Sequence, residues 1–323
     1  MTDAPFFSRQ ERFAVVGSTN DVVRGWLAAG TPEVCLALAD EQTAGRGRDG
    51  RTWVAPLGTS LLLSLGFRPA WLDADQAWRI AAIVSLAMAD AAEEAAGLPD
   101  GLIQLKWPND LVAELDAAPT RAAAPAPPPG AGNLARDEAA TRSPVDDAGP
   151  QPIRKLAGVL GETDGLGTAD PRVVIGLGIN VDWAAADVPA DLAGRMTSLR
   201  ETSGGRPVDR STLLDAFLSR LEPRILALRD GRFPVADWTE RQLTTRRWVD
   251  LQLPDGRTDT VLALGVDVRS GGLVIADSDA PDGERTVLSG EIHHLRVVAD
   301  GAARPAMTAA GRTESAASLV GQV

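Results

Sequence analysis

Apolar residues recur along this chain at two spacings, and the change from one to the other separates strand from helix. FAVVGSTN begins with a short apolar run that predicts a strand, and DVVRGWLAAG then sets Val22, Val23, Trp26 and Leu27 at helical intervals. Ser18, Thr19 or Asn20 would cap that helix, and Gly30 with Pro32 would end it. VCLALAD and TSLLLSLGF read as buried strands. Residues 73 to 97 open on Asp73 and Asp75 and then place Trp78, Ile80, Ala81, Val84, Ala87, Met88 and Ala91 on one face, which predicts a long amphipathic helix. LIQLK, LVAEL, KLAGVLGE and RVVIGLGI follow as strands with few helices between them. That order predicts an α+β fold in which a mixed or antiparallel sheet carries helices on one face.

The pattern lapses over residues 116 to 152, where Ala and Pro repeat and only Leu134 and Val145 are larger aliphatics. Such a stretch cannot bury enough surface to offset its ordering, so a disordered insertion is expected. Helical spacing returns at 209 to 229 with Leu213, Leu214, Phe217, Leu218, Leu221 and Ile225, and a shorter helix should carry Trp238. From 246 onward short β segments alternate with PDG and SGG turns, the pattern of a small barrel. The expected organisation is a main domain over 1–245, a barrel over 246–299 and a frayed tail over 300–323.

Composition removes several classes of function. A net charge of -12 argues against a broad nucleic-acid footprint, which needs clustered cations. No run approaches the length of a membrane span and the N-terminus carries no apolar core of a signal peptide, so a cytoplasmic protein is expected. Cys35, the single cysteine, sits in an apolar run and reads as a buried strand residue. His293 and His294 are the only histidines, too few for a zinc site. Of 32 basic residues only Lys106 and Lys155 are lysine, and a compact ammonium fits against a phosphate where a planar guanidinium does not.

GRGRDG at 45–50 satisfies G-x-G-x-x-G through Gly45, Gly47 and Gly50. A dinucleotide cradle needs a helix opening at its last glycines, and Pro56 with Gly58 prevents one. Glycines that let backbone amides turn inward, with Arg46, Arg48 and Arg51 among them, suit an anionic ligand instead. Trp53 could close over that ligand. In QLKWPNDLV, Lys106 ends a strand and Asn109 and Asp110 fall in a turn; Asp110 could position a metal ion or an amine. Lys155 opens KLAGVLGE, where Gly158 and Gly161 allow a ligand close to the strand.

GSTN at 17–20, EQTAGRGRDGRTW at 41–53, KWPNDL at 106–111, KLAGVLGE at 155–162 and IGLGINV at 175–181, taken in order, resemble the biotin protein ligases. The resemblance implies a catalytic domain like that of class II synthetases with an SH3-like C-terminal barrel. It implies activation of biotin by ATP and Mg²⁺ to biotinyl-5'-AMP, then transfer to one lysine of a biotin carboxyl carrier domain of an acyl-CoA or pyruvate-type carboxylase. Carried over, Ser18, Thr19, Asn20 and Gln42 would hold the ureido end, and Arg46, Gly47 and Arg48 the carboxylate and adenylate phosphate. Lys155 would contact carboxylate and α-phosphate, with Gly45, Arg51, Trp53, Asn109 and Asn180 on the nucleotide side. Arg48, Lys155 and Lys106 would stabilise the growing charge, and Asp110 would orient or deprotonate the acceptor lysine; no residue is assigned to a metal. A lipoate ligase of the same fold or a non-catalytic biotin sensor are the alternatives. Residues 116–152 and Asp49 depart from the family's usual pattern, and no DNA-binding module, hence no repressor role, is expected.

Overall fold

The computed structural model describes residues 5–115, 153–184, 187–189, 192, 194–288 and 290–296. The elements in chain order are β1 (Arg9–Val16), α1 (Thr19–Ala28), β2 (Cys35–Gln42), β3 (Ser60–Phe67), α2 (Trp78–Ala96), β4 (Ile103–Lys106), β5 (Asp110–Glu114), β6 (Ile153–Asp164) and β7 (Arg172–Asn180). There follow α3 (Leu199–Thr202), α4 (Arg210–Arg229), α5 (Val235–Glu240), β8 (Arg247–Gln252), β9 (Thr258–Val266), β10 (Leu273–Ala276), β11 (Glu284–Val287) and β12 (Glu291–Arg296). The large sheet runs β1-β2-β3-β7-β6-β5-β4. Only β1 and β2 are parallel, the geometry expected when α1 carries the chain back across the sheet; the other neighbours are antiparallel.

The mixed sheet of an α+β fold is as expected, but the helices are not confined to one face. Leu36 and Leu38 of β2 join Leu61, Leu63 and Leu65 of β3 in the core beneath α2 and α4, where Ile83, Met88, Phe217 and Leu221 are buried. Cys35 and Ala37 point the other way, to Val23, Trp26 and Leu27 of α1. A strand that is apolar on both faces must be covered on both. Small residues set the approach: a Cβ on Gly66 would lie 2.6 Å from both Cys35 Sγ and Val23 Cγ1. Asp209 caps α4 by accepting the Thr212 amide, and Gly97 ends α2 with a left-handed φ of 61°.

A second sheet, β11-β10-β9-β8-β12, is wholly antiparallel and has its own core of Val249, Leu251, Ala263, Leu273, Ile275, Val287 and Ile292. Trp107, from the turn between β4 and β5, belongs to that core and donates its indole N–H to Gly271 O at 3.1 Å. Trp78 of α2 donates to Arg269 O at 3.1 Å, against a glycine whose Cβ would come 2.6 Å from its ring. The small sheet is thus seated on the large one through two tryptophans, and the β4–β5 turn is fixed from its far side. Among the described residues no helix is long and apolar enough to cross a membrane. The expected insertion at 116–152 and tail at 300–323 lie outside the described residues, but Glu114 and Ile153 pair directly across β5 and β6.

Candidate active site

A cavity of about 990 Å³ opens between the 45–53 loop, the N-terminus of α1, strands β5, β6 and β7, and Ile292 of the small sheet. Ser18, in extended conformation, precedes α1, and Ser18, Thr19 and Asn20 are buried. Thr19 donates its amide and hydroxyl to Gln42 Oε1 at 2.8 and 3.0 Å. Those bonds pin the Gln42 amide with its NH₂ as the free donating end. Ser64 Oγ lies 2.5 Å from Asn20 Oδ1 and 2.7 Å from Thr19 Oγ1, so one wall is a hydrogen-bonded cluster of short polar side chains.

The arginine-glycine loop closes on itself. Gly47 N donates to Arg51 O at 2.7 Å and Trp53 N to Gly45 O at 2.9 Å, with Arg48–Gly50 as a tight turn at the tip. Gly45, expected beside the nucleotide, does not line the cavity; a Cβ there would sit 2.5 Å from Trp53 O, so its role is to let the loop close. Arg48 and Arg51 line the cavity, and Arg48 also donates to Gly290 O at 3.2 Å. Arg46 borders the cavity too, but its guanidinium meets Asp21 and Glu162. Trp53 lies over Gly158 and Gly178, which face each other across β6 and β7; a Cβ on Gly178 would come 2.6 Å from the indole. Its buried Nε1 has no hydrogen-bond partner among the described residues.

Both lysines converge here on one carboxylate. Lys155 Nζ stands 2.6 Å from Asp110 Oδ1 and Lys106 Nζ 3.8 Å from Oδ2. Lys155 Nζ is also 5.7 Å from the centre of the Trp53 ring, within cation–π range. The main chain of Lys155 is held by Arg195 O, which accepts its amide at 2.8 Å, and by Thr197, whose amide donates to its carbonyl at 2.9 Å. The arrangement offers an anion two ammonium groups and a guanidinium from separate elements, beside an apolar cover.

Two residues expected on the nucleotide side are held by main-chain carbonyls. Asn180 is 1% exposed and does not line the cavity; it donates to Thr197 O at 3.0 Å, tying the end of β7 to the segment that bridges to Lys155. Asn109 does border the cavity, but its NH₂ donates to Val159 O at 3.1 Å and anchors the turn. Trp183, Asp187, Arg195, Met196 and Ile292 also line the site, and no spacing in the sequence marked them. Cys35 is buried, with its thiol pushed up to about 11 by desolvation, so it is neither exposed nor nucleophilic.

The model of the biotin/lipoate A/B protein ligase family matches residues 13–180, more than half of the chain. The chain belongs to that family. Among similar proteins is a biotin--[acetyl-CoA-carboxylase] ligase of Mycobacterium tuberculosis, 31% identical over 288 residues and 88% of each chain. The bifunctional ligase/repressor BirA of Bacillus subtilis is 27% identical over 210 residues, 65% of this chain and 51% of the relative. In fold, a biotin protein ligase from Aquifex aeolicus in complex with biotin and ATP superposes with a TM-score of 0.63 at 23% identity, covering 90% of this chain and 99% of that one.

Proposed function

We propose that this chain is a biotin protein ligase, with a catalytic unit over 1–245 and a C-terminal barrel over 246–299, acting on a biotin carboxyl carrier domain. The observation that carries the reading is the convergence of Lys155, Lys106 and Arg48 on the cavity that Thr19 and Gln42 also line. In the first step a biotin carboxylate oxygen attacks the α-phosphorus of ATP; the bond from that phosphorus to the β-phosphate bridge breaks, and pyrophosphate leaves. Two anions must approach, so Lys155 and Arg48 lower their repulsion and stabilise the charge that grows on the α-phosphoryl group. Gln42, its amide oxygen held by Thr19, presents its NH₂ to the ureido carbonyl. Trp53 shields the mixed anhydride from water.

In the second step the carrier lysine attacks the acyl carbon, AMP leaves, and the amine's proton passes to Asp110, our assignment for the base. Magnesium keeps most of its water and binds through substrate phosphates plus one or two carboxylates. No cage of three or more His, Cys, Asp or Glu forms among the described residues, while Asp49 and Asp187 line the cavity, a pair of carboxylates that fits an ion arriving with the triphosphate. When bound, that ion neutralises phosphate charge. The decisive experiment incubates the chain with biotin, ATP, Mg²⁺ and a carrier domain. Biotin-dependent exchange of labelled pyrophosphate into ATP and labelling of the carrier support the reading. Exchange with lipoate alone would make it a lipoate ligase, and biotin binding without exchange a sensor.

A further inference from the structure

Arg46 stands in the loop but turns its charge to the protein. Its Nη1 and Nη2 meet the two oxygens of Asp21 on α1 at 2.7 and 2.9 Å, and Nη2 reaches Glu162 on β6 at 3.2 Å. Arg24, also on α1, closes a circuit: it donates to Asp21 Oδ1 at 2.8 Å and to Glu162 Oε2 at 2.5 Å. Two cations and two anions therefore alternate around a ring that joins the loop, α1 and β6. Asp21 directly follows GSTN and Glu162 ends KLAGVLGE, and the reaction above gives neither a task.

An isolated exposed ion pair contributes little, but a bidentate fork within a network is the exception. The carboxyl groups respond accordingly. The Arg46 bond holds Asp21 below the usual carboxylate range; burial pushes Glu162 up, yet Arg24 and Arg46 outweigh it and leave it lowered. Arg46 is coupled to the cavity by its neighbours. Gly45 O accepts the Trp53 amide and Arg46 pairs with Thr52, so a fixed Arg46 keeps Trp53 on the glycine floor.

We propose that Arg46 is a positioning residue: with Asp21, Arg24 and Glu162 it forms an ionic clasp that anchors the base of the 45–53 loop and sets how long a bound adenylate is retained. This rests on the ligase reading of the site. With its charge balanced by two carboxylates, Arg46 acts on the ligand through the loop and not by direct contact.

The test measures release of preformed biotinyl-AMP from the full chain by rapid filtration. Arg46→Ala and the pair Asp21→Asn with Glu162→Gln should each speed release about three- to tenfold. The triple variant should be no faster than Arg46→Ala, since all three changes break one clasp. Added salt should narrow the gap between wild type and Arg46→Ala. If Arg46→Ala speeds release while the paired acid variant retains the adenylate like wild type, Arg46 holds the ligand itself and the clasp is overturned. Unchanged release in every variant overturns it too. Failure of the wild type to make any adenylate would sink the ligase reading instead. The clasp is then judged without ligand, by tryptic cleavage after Arg48 and Arg51: faster cutting in the Asp21→Asn, Glu162→Gln variant supports it, and equal cutting refutes it.

Discussion

Lys155 and Arg48 face the same cavity from supports of unlike stiffness. Lys155 lies in β6, laddered to β5 on one side and bonded through its main chain to Arg195 and Thr197 on the other, with its ammonium against Asp110. Arg48 stands at the tip of a loop that a few backbone bonds close and that the Arg46 ion pairs tie down at its base. A cation on paired strands is already in place when charge develops, which favours the chemical step. One on a loop can withdraw to admit substrates and return to enclose the product, which favours retention and release.

The largest expected effect removes the fixed cation. Lys155→Ala should lower the rate of biotin-dependent pyrophosphate exchange by roughly 10²–10³-fold, at saturating biotin and ATP. A loss confined to KM would mean that the strand-borne ammonium only binds. Next comes the loop cation: Arg48→Ala should cost roughly 2 to 4 kcal/mol of transition-state stabilisation and shorten the lifetime of bound biotinyl-AMP. Equal lifetimes in wild type and variant would erase the contrast between the two walls.

Acid provides a milder probe. Asp21 and Glu162 both have lowered folded pKa values, so the stability they confer is complete above the ordinary carboxylate range, begins to fall within it and is lost as pH drops through the lowered folded values. The difference in proteolytic susceptibility of the loop between wild type and Arg46→Ala should therefore be full at pH 6 to 7, read with trypsin, and shrink below about pH 4, read at that pH with an acid protease. A difference that persists undiminished in acid would rule out the carboxylates. The smallest effect is expected from replacing 116–152 by a short turn. Glu114 and Ile153 already face each other across β5 and β6, so adenylation should stay within about twofold, measured as the exchange rate.

Much of the site was legible beforehand, because polar and glycine residues in apolar surroundings announce themselves. The two lysines among thirty arginines and the run GRGRDG pointed to an anion site, and Lys106, Lys155 and Arg48 do share one cavity. Cys35 was legible for the opposite reason, its neighbours being apolar on both sides. Spacing does not show which partner a residue takes. Asn180 donates to Thr197 O and Gly45 clears space for Trp53 O, and in each case no strand or helix period places that neighbour beside it. The cover of α1 on the second face of the sheet had a signal, the unbroken apolar run of β2, which an alternating strand would not show.

Local pattern, by itself, determined which stretches form strands and which form helices, and which residue types an anionic ligand would require. These follow from spacing, because side-chain direction repeats every two residues in a strand and about every 3.6 in a helix. Only the tertiary structure decided that Arg46 pairs with Asp21 and Glu162, that Trp107 enters the core of the small sheet, and that Trp53 rests on Gly158 and Gly178. Such pairings join residues tens to more than a hundred and fifty positions apart, and their partners are chosen by how packed elements bring surfaces together, which no local period encodes.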